Sequence, residues 1–272
     1  IIATMDAIVG DILDKLEKDG EADNTIIIWT TDHGDGLPRA KRELYDSGLK
    51  VPMVIYYPEA LRPLDFVPGT VDSQLVSFVD LAPTILNLAN TATPDYFIGQ
   101  NILNRDSIHR SYIYASRDRI DEIMDRQRAV RNDQFKYIKS WYPEQEGGHH
   151  MAFRDNLEMM KDLWDLKAKD QLTREQLNWF QSPGAERLYD LKNDPFELKD
   201  ISKDSSYASE LKVMRQALEN WLDVTEDWSD IPENEMVNNF QPNGITEITP
   251  IPEIKIINDM VTMSSNVEGA SV

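Results

Sequence analysis

The feature that most constrains this chain is a run of apolar and β-branched residues at 25–31, which ends in Asp32-His33-Gly34. Because charged residues do not alternate with the apolar ones, the run predicts a strand of a parallel sheet that is covered on both faces. Open α/β sheets place their ligands at the carboxyl ends of such strands. Asp32 offers hard oxygen donors and His33 a nitrogen ligand that also carries protons, so the pair indicates a metal-assisted hydrolase.

The first third of the chain alternates helices with strands. Apolar residues at i, i+3, i+4, i+7 and i+8 predict an amphipathic helix over residues 3–18, before the buried strand. A second apolar strand is predicted at 51–57, followed by a helix at 80–89 that Asp80 caps. Residues 1–104 are therefore predicted to form a layered α/β core.

The pattern changes after residue 104. Short strands are predicted at 111–115 and 134–141 and a helix at 152–166, which together indicate an α+β subdomain over residues 105–228. The polar segment that follows predicts a linker, and the last apolar stretch predicts strands. Residues 229–272 are thus interpreted as a linker and the start of a β accessory module, with a disordered tail as the alternative.

Composition excludes several classes of partner and site. The chain has 48 acidic and 28 basic residues, for a formal net charge of −20, which argues against nucleic acid and anionic membranes as partners. No run is long and apolar enough to predict a membrane span. The absence of cysteine excludes disulfides and Cys metal sites from these residues. The alternating charges between Arg117 and Arg131 predict a self-paired charged surface, with contacts to a sulfated sugar as the alternative.

Four segments, taken together, resemble one protein family. They are Asp32-His33-Gly34, Lys41-Arg42-Glu43-Leu44-Tyr45-Asp46-Ser47-Gly48-Leu49-Lys50-Val51-Pro52, Ser77-Phe78-Val79-Asp80-Leu81-Ala82-Pro83-Thr84 and Leu188-Tyr189-Asp190-Leu191-Lys192-Asn193-Asp194-Pro195. Their residues and order are similar to those of the type I sulfatases of the alkaline-phosphatase superfamily. A weaker similarity, over the charged run from Arg117 to Arg131, points to the branch of N-sulfoglucosamine and polysaccharide sulfatases.

The resemblance implies an alkaline-phosphatase-like α/β fold and hydrolysis of sulfate esters, or less readily sulfamates, of a sulfated carbohydrate. The family nucleophile is a formylglycine made from Cys or Ser in Cys/Ser-x-Pro-x-Arg, and neither form occurs in this chain. We therefore expect the chain to be the C-terminal part of a longer enzyme and to be inactive alone. The family further implies a formylglycine-generating enzyme as maturation partner and a periplasmic or extracellular location.

The resemblance also assigns candidate site residues. Asp32 and His33 are expected to bind Ca²⁺, with zinc or manganese as the alternative because a histidine nitrogen is an unusual ligand for a hard ion. His33 is also a candidate catalytic residue in contact with the metal or the sulfate, with a structural histidine beside the site as the alternative. Lys41 is expected to contact the sulfate and the leaving oxygen, where a fixed cation stabilises the transition state. Arg39 is a candidate for a second anionic group of the substrate. His149 and His150 are candidates for lining the substrate pocket, with a solvated loop as the alternative.

Two other functions remain open at this point. One is a phosphoesterase or phosphonate hydrolase of the same superfamily, which His33 allows. The other is a non-catalytic carbohydrate-binding protein that keeps the fold.

Overall fold

The computed structural model describes residues 1–63, 66–104, 109–119, 121–225, 227–245, 248–258 and 260–267. These form two compact units, Ile1–Val224 and Thr225–Val272, which are described separately.

The first unit begins with the predicted alternation of helices and strands. Its elements are α1 (Ile2–Lys18), β1 (Ile27–Thr30), α2 (Asp46–Leu49), β2 (Met53–Tyr56) and α3 (Leu81–Leu88). Both predicted strands and both predicted helices are confirmed, and each strand is shorter than its apolar run. Helix α2 lies inside the loop that follows β1.

The prediction of a buried parallel strand was wrong for the described chain. Strand β1 pairs with β2 in an antiparallel register, Ile27 opposite Tyr56, and the pair forms a two-stranded sheet. Both strands are only partly buried, and Val54 is 56% exposed. An apolar run shows a preference for burial, but it does not determine which neighbours cover the strand or in which direction they run.

In helix α1, too, the apolar pattern predicts the element but not its burial. The helix forms as predicted, yet none of its residues is buried, and the apolar side chains of Ile8 and Ile12 are more than half exposed. The periodicity therefore predicted the helix correctly, but it did not show whether another element packs on the apolar side of the helix.

Asp80 acts differently from the predicted helix cap. It is fully buried, and its carboxylate accepts hydrogen bonds from the backbone N–H groups of Ser77 and Gln100 and pairs with Arg110. It thereby closes a capping box with Ser77 around the short 3₁₀ turn Phe78–Asp80 that precedes α3. The carboxylate thus holds three chain segments together and makes no cap bond to α3.

The rest of the first unit is built on a four-stranded antiparallel sheet in the order β3-β4-β5-β6. Its elements are β3 (Ile113–Arg117), β4 (Gln127–Arg131), β5 (Phe135–Ser140), α4 (Ala152–Asp155), α5 (Glu158–Ala168), α6 (Arg174–Trp179), β6 (Glu186–Asp190) and α7 (Ala208–Thr225). The predicted capping box at the start of α6 is present, with Thr173 and Gln176 bonded reciprocally.

Side chains alternate between the two faces of this sheet. On one face Val130, Tyr137 and Leu188 pack against Met214 and Leu218 of α7, and all five are almost completely buried. Burial of this apolar face docks α7 onto the sheet.

The opposite face is called here the cationic face. It carries Ala115, Arg117, Gln127, Ala129, Arg131, Lys136, Ile138, Arg187 and Tyr189, as the strand registers require. The loop after β1 packs on its apolar centre through Leu44 and Tyr45. Of these cations, Arg117, Lys136 and Arg187 are buried.

The prediction of a self-paired charged surface between Arg117 and Arg131 is confirmed for the pairing, since within the run Arg117 lies 2.9 Å from Asp125 and Arg128 lies 3.0 Å from Asp118. It was wrong about exposure for part of the run, which contains the end of β3 and all of β4, because Arg117, Asp125 and Arg128 are each at most 5% exposed. Charge alternation is typical of solvated segments, but here Arg117 is also buried against Glu43, which is distant in sequence.

The second unit contains α8 (Glu233–Phe240) and a hairpin of β7 (Glu253–Ile257) and β8 (Met260–Ser264). The terminal strands were predicted, whereas α8 lies in the segment predicted as a linker. Every residue of both strands is exposed. No helix in the described ranges combines the length and apolarity of a membrane span.

Two glycines close the loop after β1. The N–H of Gly34 donates to the carbonyl of Gly48 at 2.9 Å, so the two ends of the loop meet through backbone atoms. A Cβ on Gly48 would lie 2.2 Å from the carbonyl oxygen of Ala40 and 2.6 Å from that of Glu43. The absence of a side chain at this position is thus a requirement of the close backbone approach.

We predict that Gly48→Ala lowers the free energy of unfolding by about 1–3 kcal/mol, because the new methyl group forces two carbonyls apart. Urea titration of the purified protein would measure the change. Gly36→Ala is the matched control, since a Cβ there meets no atom within 4 Å. Equal stability of the two variants would contradict the close-approach argument.

Candidate active site

Asp32 and His33 stand at the carboxyl end of β1, where the loop begins. The Asp32 side chain is 80% exposed, and its Oδ2 lies 3.3 Å from Nε2 of His33. His33 Nδ1 lies 2.6 Å from the carbonyl oxygen of Gly34, a contact that places the imidazole proton on Nδ1. The other ring nitrogen, Nε2, faces the Asp32 carboxylate. Two adjacent electron-pair donors with one side open to solvent are chemically suited to a shared cation.

The chain offers this pair and no larger set of ligands in its described ranges. No group of three or more His, Cys, Asp or Glu side chains is placed to hold a metal ion there. A divalent ion at Asp32 and His33 would therefore take its remaining ligands from backbone oxygens, water or other residues of the protein, because Ca²⁺ needs six to eight oxygens.

Lys41 lies further along the same loop and keeps its charge available. Its backbone N–H donates to the carbonyl of Asp35, and its Nζ lies 5.2 Å from the ring centroid of Phe153. No carboxylate in the described part of the chain forms an ion pair with it. The neighbouring Arg42 is instead paired with Asp121 at 2.8 Å. Of these two adjacent cations, Lys41 is the one free to meet an anion.

The guanidinium of Arg39 has a structural role that its prediction as a substrate-binding residue did not foresee. Nη1 donates to the carbonyl of Phe196 at 2.8 Å and Nη2 to that of Glu197 at 2.5 Å. The same group lies 3.7 Å from the ring centroid of Tyr45. Arg39 thus joins the loop to the turn after β6, and this geometry gives no support to direct sulfate binding by its Nη atoms.

His149 and His150 make contacts with neighbouring residues. His150 stacks on Trp164 with ring centroids 3.8 Å apart, and its Nδ1 lies 2.8 Å from Oδ2 of Asp155. His149 Nδ1 lies 2.9 Å from the carbonyl oxygen of Glu146. Burial lowers the pKa of His149 and so favours its neutral form. These contacts favour a packing role for both histidines.

A buried ionic network fixes the loop next to Lys41, and sequence reasoning did not identify it. Glu43 pairs with Arg117, and its other carboxylate oxygen lies 3.1 Å from Nη1 of Arg154. Arg117 also lies 2.9 Å from Asp125. All four side chains are at most 5% exposed. The backbone next to Lys41 is therefore tied to β3 and α4 through ion pairs that solvent screens little.

A second network fixes the end of the loop. Lys136 Nζ lies 2.5 Å from Asp46 and 2.8 Å from Glu197, and it is buried completely. Burial opposes ionisation of Asp46, but the charges and hydrogen bonds of Lys136 and Arg131 outweigh it and lower the pKa. For Glu197 burial dominates and raises the pKa despite Lys136. The two carboxylates share one cation, so ionisation of each is coupled to the other.

Comparison with known proteins agrees with the predicted family. The family model described as Sulfatase matches residues 1–91. An ulvan-active sulfatase of Formosa agariphila is 41% identical over all of this chain, which spans 45% of that relative. The human N-sulphoglucosamine sulphohydrolase is 24% identical over 89% of the chain, which spans 50% of that protein. The chain thus spans about half the length of these relatives.

A solved structure provides the comparison of folds. It is described as a complex with its substrate D-glucosamine-2-N,6-O-disulfate, and it matches 82% of this chain and 39% of its own with a TM-score of 0.58 and 24% identity. This likeness confirms the predicted alkaline-phosphatase-like α/β fold, with the antiparallel pairing of β1 and β2 as the correction within the described residues.

We predict that Glu43→Gln lowers the free energy of unfolding by about 3 kcal/mol, because Arg117 and Arg154 keep buried charges without their shared carboxylate. Differential scanning calorimetry would measure the loss. Glu158→Gln is the matched control, since the Glu158–Lys161 pair is solvent-exposed and its removal is expected to cost at most about 0.5 kcal/mol. A loss of that small size in Glu43→Gln would show that the buried network does not hold the loop.

Proposed function

Because the chain belongs to the sulfatase family, we propose that the protein containing it hydrolyses sulfate esters, or less readily sulfamates, on a sulfated carbohydrate. The observation that carries this proposal is one loop that presents Asp32 beside His33 and Lys41, with which no described carboxylate forms an ion pair. The relatives named as sulfatases of ulvan and of N-sulphoglucosamine support a carbohydrate as the substrate.

In this proposal Asp32 and His33 hold the divalent cation. The open carboxylate of Asp32 suits Ca²⁺, whereas the imidazole nitrogen of His33 also suits zinc or manganese. Bound there, the ion would polarise the sulfate oxygens. The contact of His33 Nδ1 with the Gly34 carbonyl fixes the ring, and Nε2 would be the nitrogen available to the ion.

Lys41 supplies the positive charge for the transition state in this proposal. As the S–O bond breaks, negative charge grows on the sulfate oxygens and on the leaving oxygen, and a fixed ammonium stabilises that charge. Glu43 and the Gly34–Gly48 hydrogen bond hold the backbone on either side of Lys41. Such rigidity lowers the reorganisation required during the reaction.

The nucleophile is assigned to another part of the protein. This chain contains no cysteine, so the formylglycine that the family resemblance implies would come from residues other than these. Maturation by a formylglycine-generating enzyme and a periplasmic or extracellular location complete the proposal.

We predict that Asp32→Ala in the full-length, matured protein abolishes release of sulfate from 4-nitrophenyl sulfate, and that chelation of divalent ions does the same to the unaltered protein. Both changes remove the proposed cation. Ca²⁺, zinc and manganese added back separately would identify the metal. Asp35→Ala, an exposed aspartate in the same loop, is the control and is expected to keep sulfate release. Activity that survives both Asp32→Ala and chelation would exclude the metal assignment.

We also predict that Lys41→Ala lowers kcat by about 100-fold, the usual consequence of losing one charge-stabilising donor. Steady-state kinetics on 4-nitrophenyl sulfate would measure it, with the exposed Lys161→Ala as control. A kcat near that of the unaltered protein would remove Lys41 from the mechanism.

The same assays separate the alternative functions. Faster hydrolysis of phosphate or phosphonate esters than of sulfate esters, with zinc or manganese, would place the protein among the phosphoesterases. Binding of sulfated glycans without hydrolysis of either ester would indicate a non-catalytic homologue.

A further inference from the structure

A cavity of about 580 Å³ lies between the loop, the cationic face of the sheet and α6. The loop contributes Arg39, Glu43 and Tyr45 to its wall, and the sheet contributes Arg187. Consecutive Cα atoms are 3.8 Å apart, so the Cα atoms of Glu43 and Lys41 are separated by less than about 8 Å. The wall of this cavity therefore begins close to the proposed reacting group.

Arg187 is the unusual residue of this wall. It is only 6% exposed, and none of the described carboxylates forms an ion pair with it. Its Nη1 donates to the hydroxyl of Tyr45 at 2.8 Å and its Nη2 to Oε1 of Gln127 at 2.6 Å. Its Nε has no hydrogen-bond partner among the described residues. Burial alone would lower the pKa of Arg187, but the hydroxyls of Tyr45 and Tyr189 and the charge of Glu43 raise it, so the guanidinium stays charged without a described carboxylate in direct contact.

The described carboxylates of the wall form no direct ion pair with Arg187. Glu43 and Glu197 are already paired with Arg117, Arg154 and Lys136. Asp200 accepts bonds from two backbone N–H groups and from a serine hydroxyl, and Glu175 is the remaining carboxylate. Opposing these two are the cations of Arg39, Arg174, Arg187 and Lys199. The carboxylates without a cationic partner are thus outnumbered by cations.

A second unsatisfied donor lines the same cavity. Trp179 is 6% exposed, and its indole Nε1–H has no hydrogen-bond partner among the described residues. Two buried donors on one wall are thus available to a ligand with acceptor oxygens. An aromatic wall beside polar groups is also suited to the apolar face of a sugar ring.

We propose that this cavity binds an anionic oxygen group, a carboxylate or a second sulfate, of a sugar next to the one that is desulfated. Arg187 would recognise the anion, and Trp179 would donate to one of its oxygens. The assignment to a neighbouring sugar rests on the proposed sulfatase function, whereas the binding of an anion does not.

Isothermal titration calorimetry on the full-length protein tests anion binding without any turnover. The Lys41→Ala variant is used throughout, so that inorganic sulfate does not report on the proposed reacting site. The probes are glucuronate, inorganic sulfate and, as the neutral control, glucose. We expect glucuronate or sulfate to bind and glucose not to bind. Arg187→Lys is expected to lower the affinity for the anion by about tenfold, because lysine cannot donate in the fork geometry of arginine. The anion that binds with the higher affinity shows whether the group recognised by the cavity is a carboxylate or a sulfate.

Two further variants keep the test independent of folding. Arg215→Lys is the matched control outside the cavity, since Arg215 pairs with Glu186, and it is expected to leave the affinity for the anion unchanged. Lys199→Met removes an exposed cation of the wall and is expected to lower the affinity for the anion by about threefold. Absence of anion binding, or equal weakening by Arg187→Lys and Arg215→Lys, would overturn the proposal.

Kinetics then test the link to the proposed function. The kinetics compare a sulfated disaccharide with an analogue that lacks the second anionic group, because it is carboxyl-reduced or singly sulfated. Arg187→Lys is expected to lower the preference for the complete disaccharide, measured as the ratio of its kcat/KM to that of the analogue, about tenfold. If the protein binds the anion but hydrolyses no sulfate ester, the cavity assignment stands and the proposed function fails. If it hydrolyses sulfate esters and the ratio is unchanged, the cavity does not recognise the neighbouring sugar.

Discussion

The arrangement of the first unit depends on the ionic contact between the loop after β1 and the cationic face of the four-stranded sheet. Glu43 of the loop and Glu197 of the turn after β6 are buried against Arg117, Arg154 and Lys136, and Asp46 of the loop, partly buried, pairs with the same lysine. A buried charge without its partner is strongly unfavourable, so each contact is required by the others. The apolar centre around Tyr45 supplies the hydrophobic burial, and the ion pairs determine the position of the loop on the sheet.

This contact connects stability with the proposed chemistry. Lys41 is two residues from Glu43, and Asp32 is two residues from Gly34, whose N–H meets the carbonyl of Gly48. The proposed reacting groups are therefore on a segment fixed at both ends, while their own side chains remain open or unpaired. Such a division, in which neighbours are buried and the functional side chains are left available, is the preorganisation that electrostatic catalysis requires.

Sequence reasoning located the elements with local signals and failed where the signal was not local. Helix α1, strands β1, β2 and β5 and the capping box of α6 were predicted, because periodicity and capping are properties of neighbouring residues. The charged run that begins at Arg117 was predicted to lie at the surface, since no local pattern shows that Arg117 will be buried against Glu43, 74 positions away. For the same reason the sequence did not show that Arg39 donates to carbonyls 157 and 158 positions away, while its role as a substrate contact stays a prediction.

The sequence alone determined the family, the α/β class and the position of Asp32, His33 and Lys41 in one loop, because all of these depend on residue types at short spacings. The tertiary structure decided which charges are compensated. It paired Arg42 with Asp121, left Lys41 without a described carboxylate, and placed Arg187 on a cavity wall between two neutral partners. Whether a cation is available to a ligand depends on the distances among side chains from separate segments, and these distances exist only once the chain has folded.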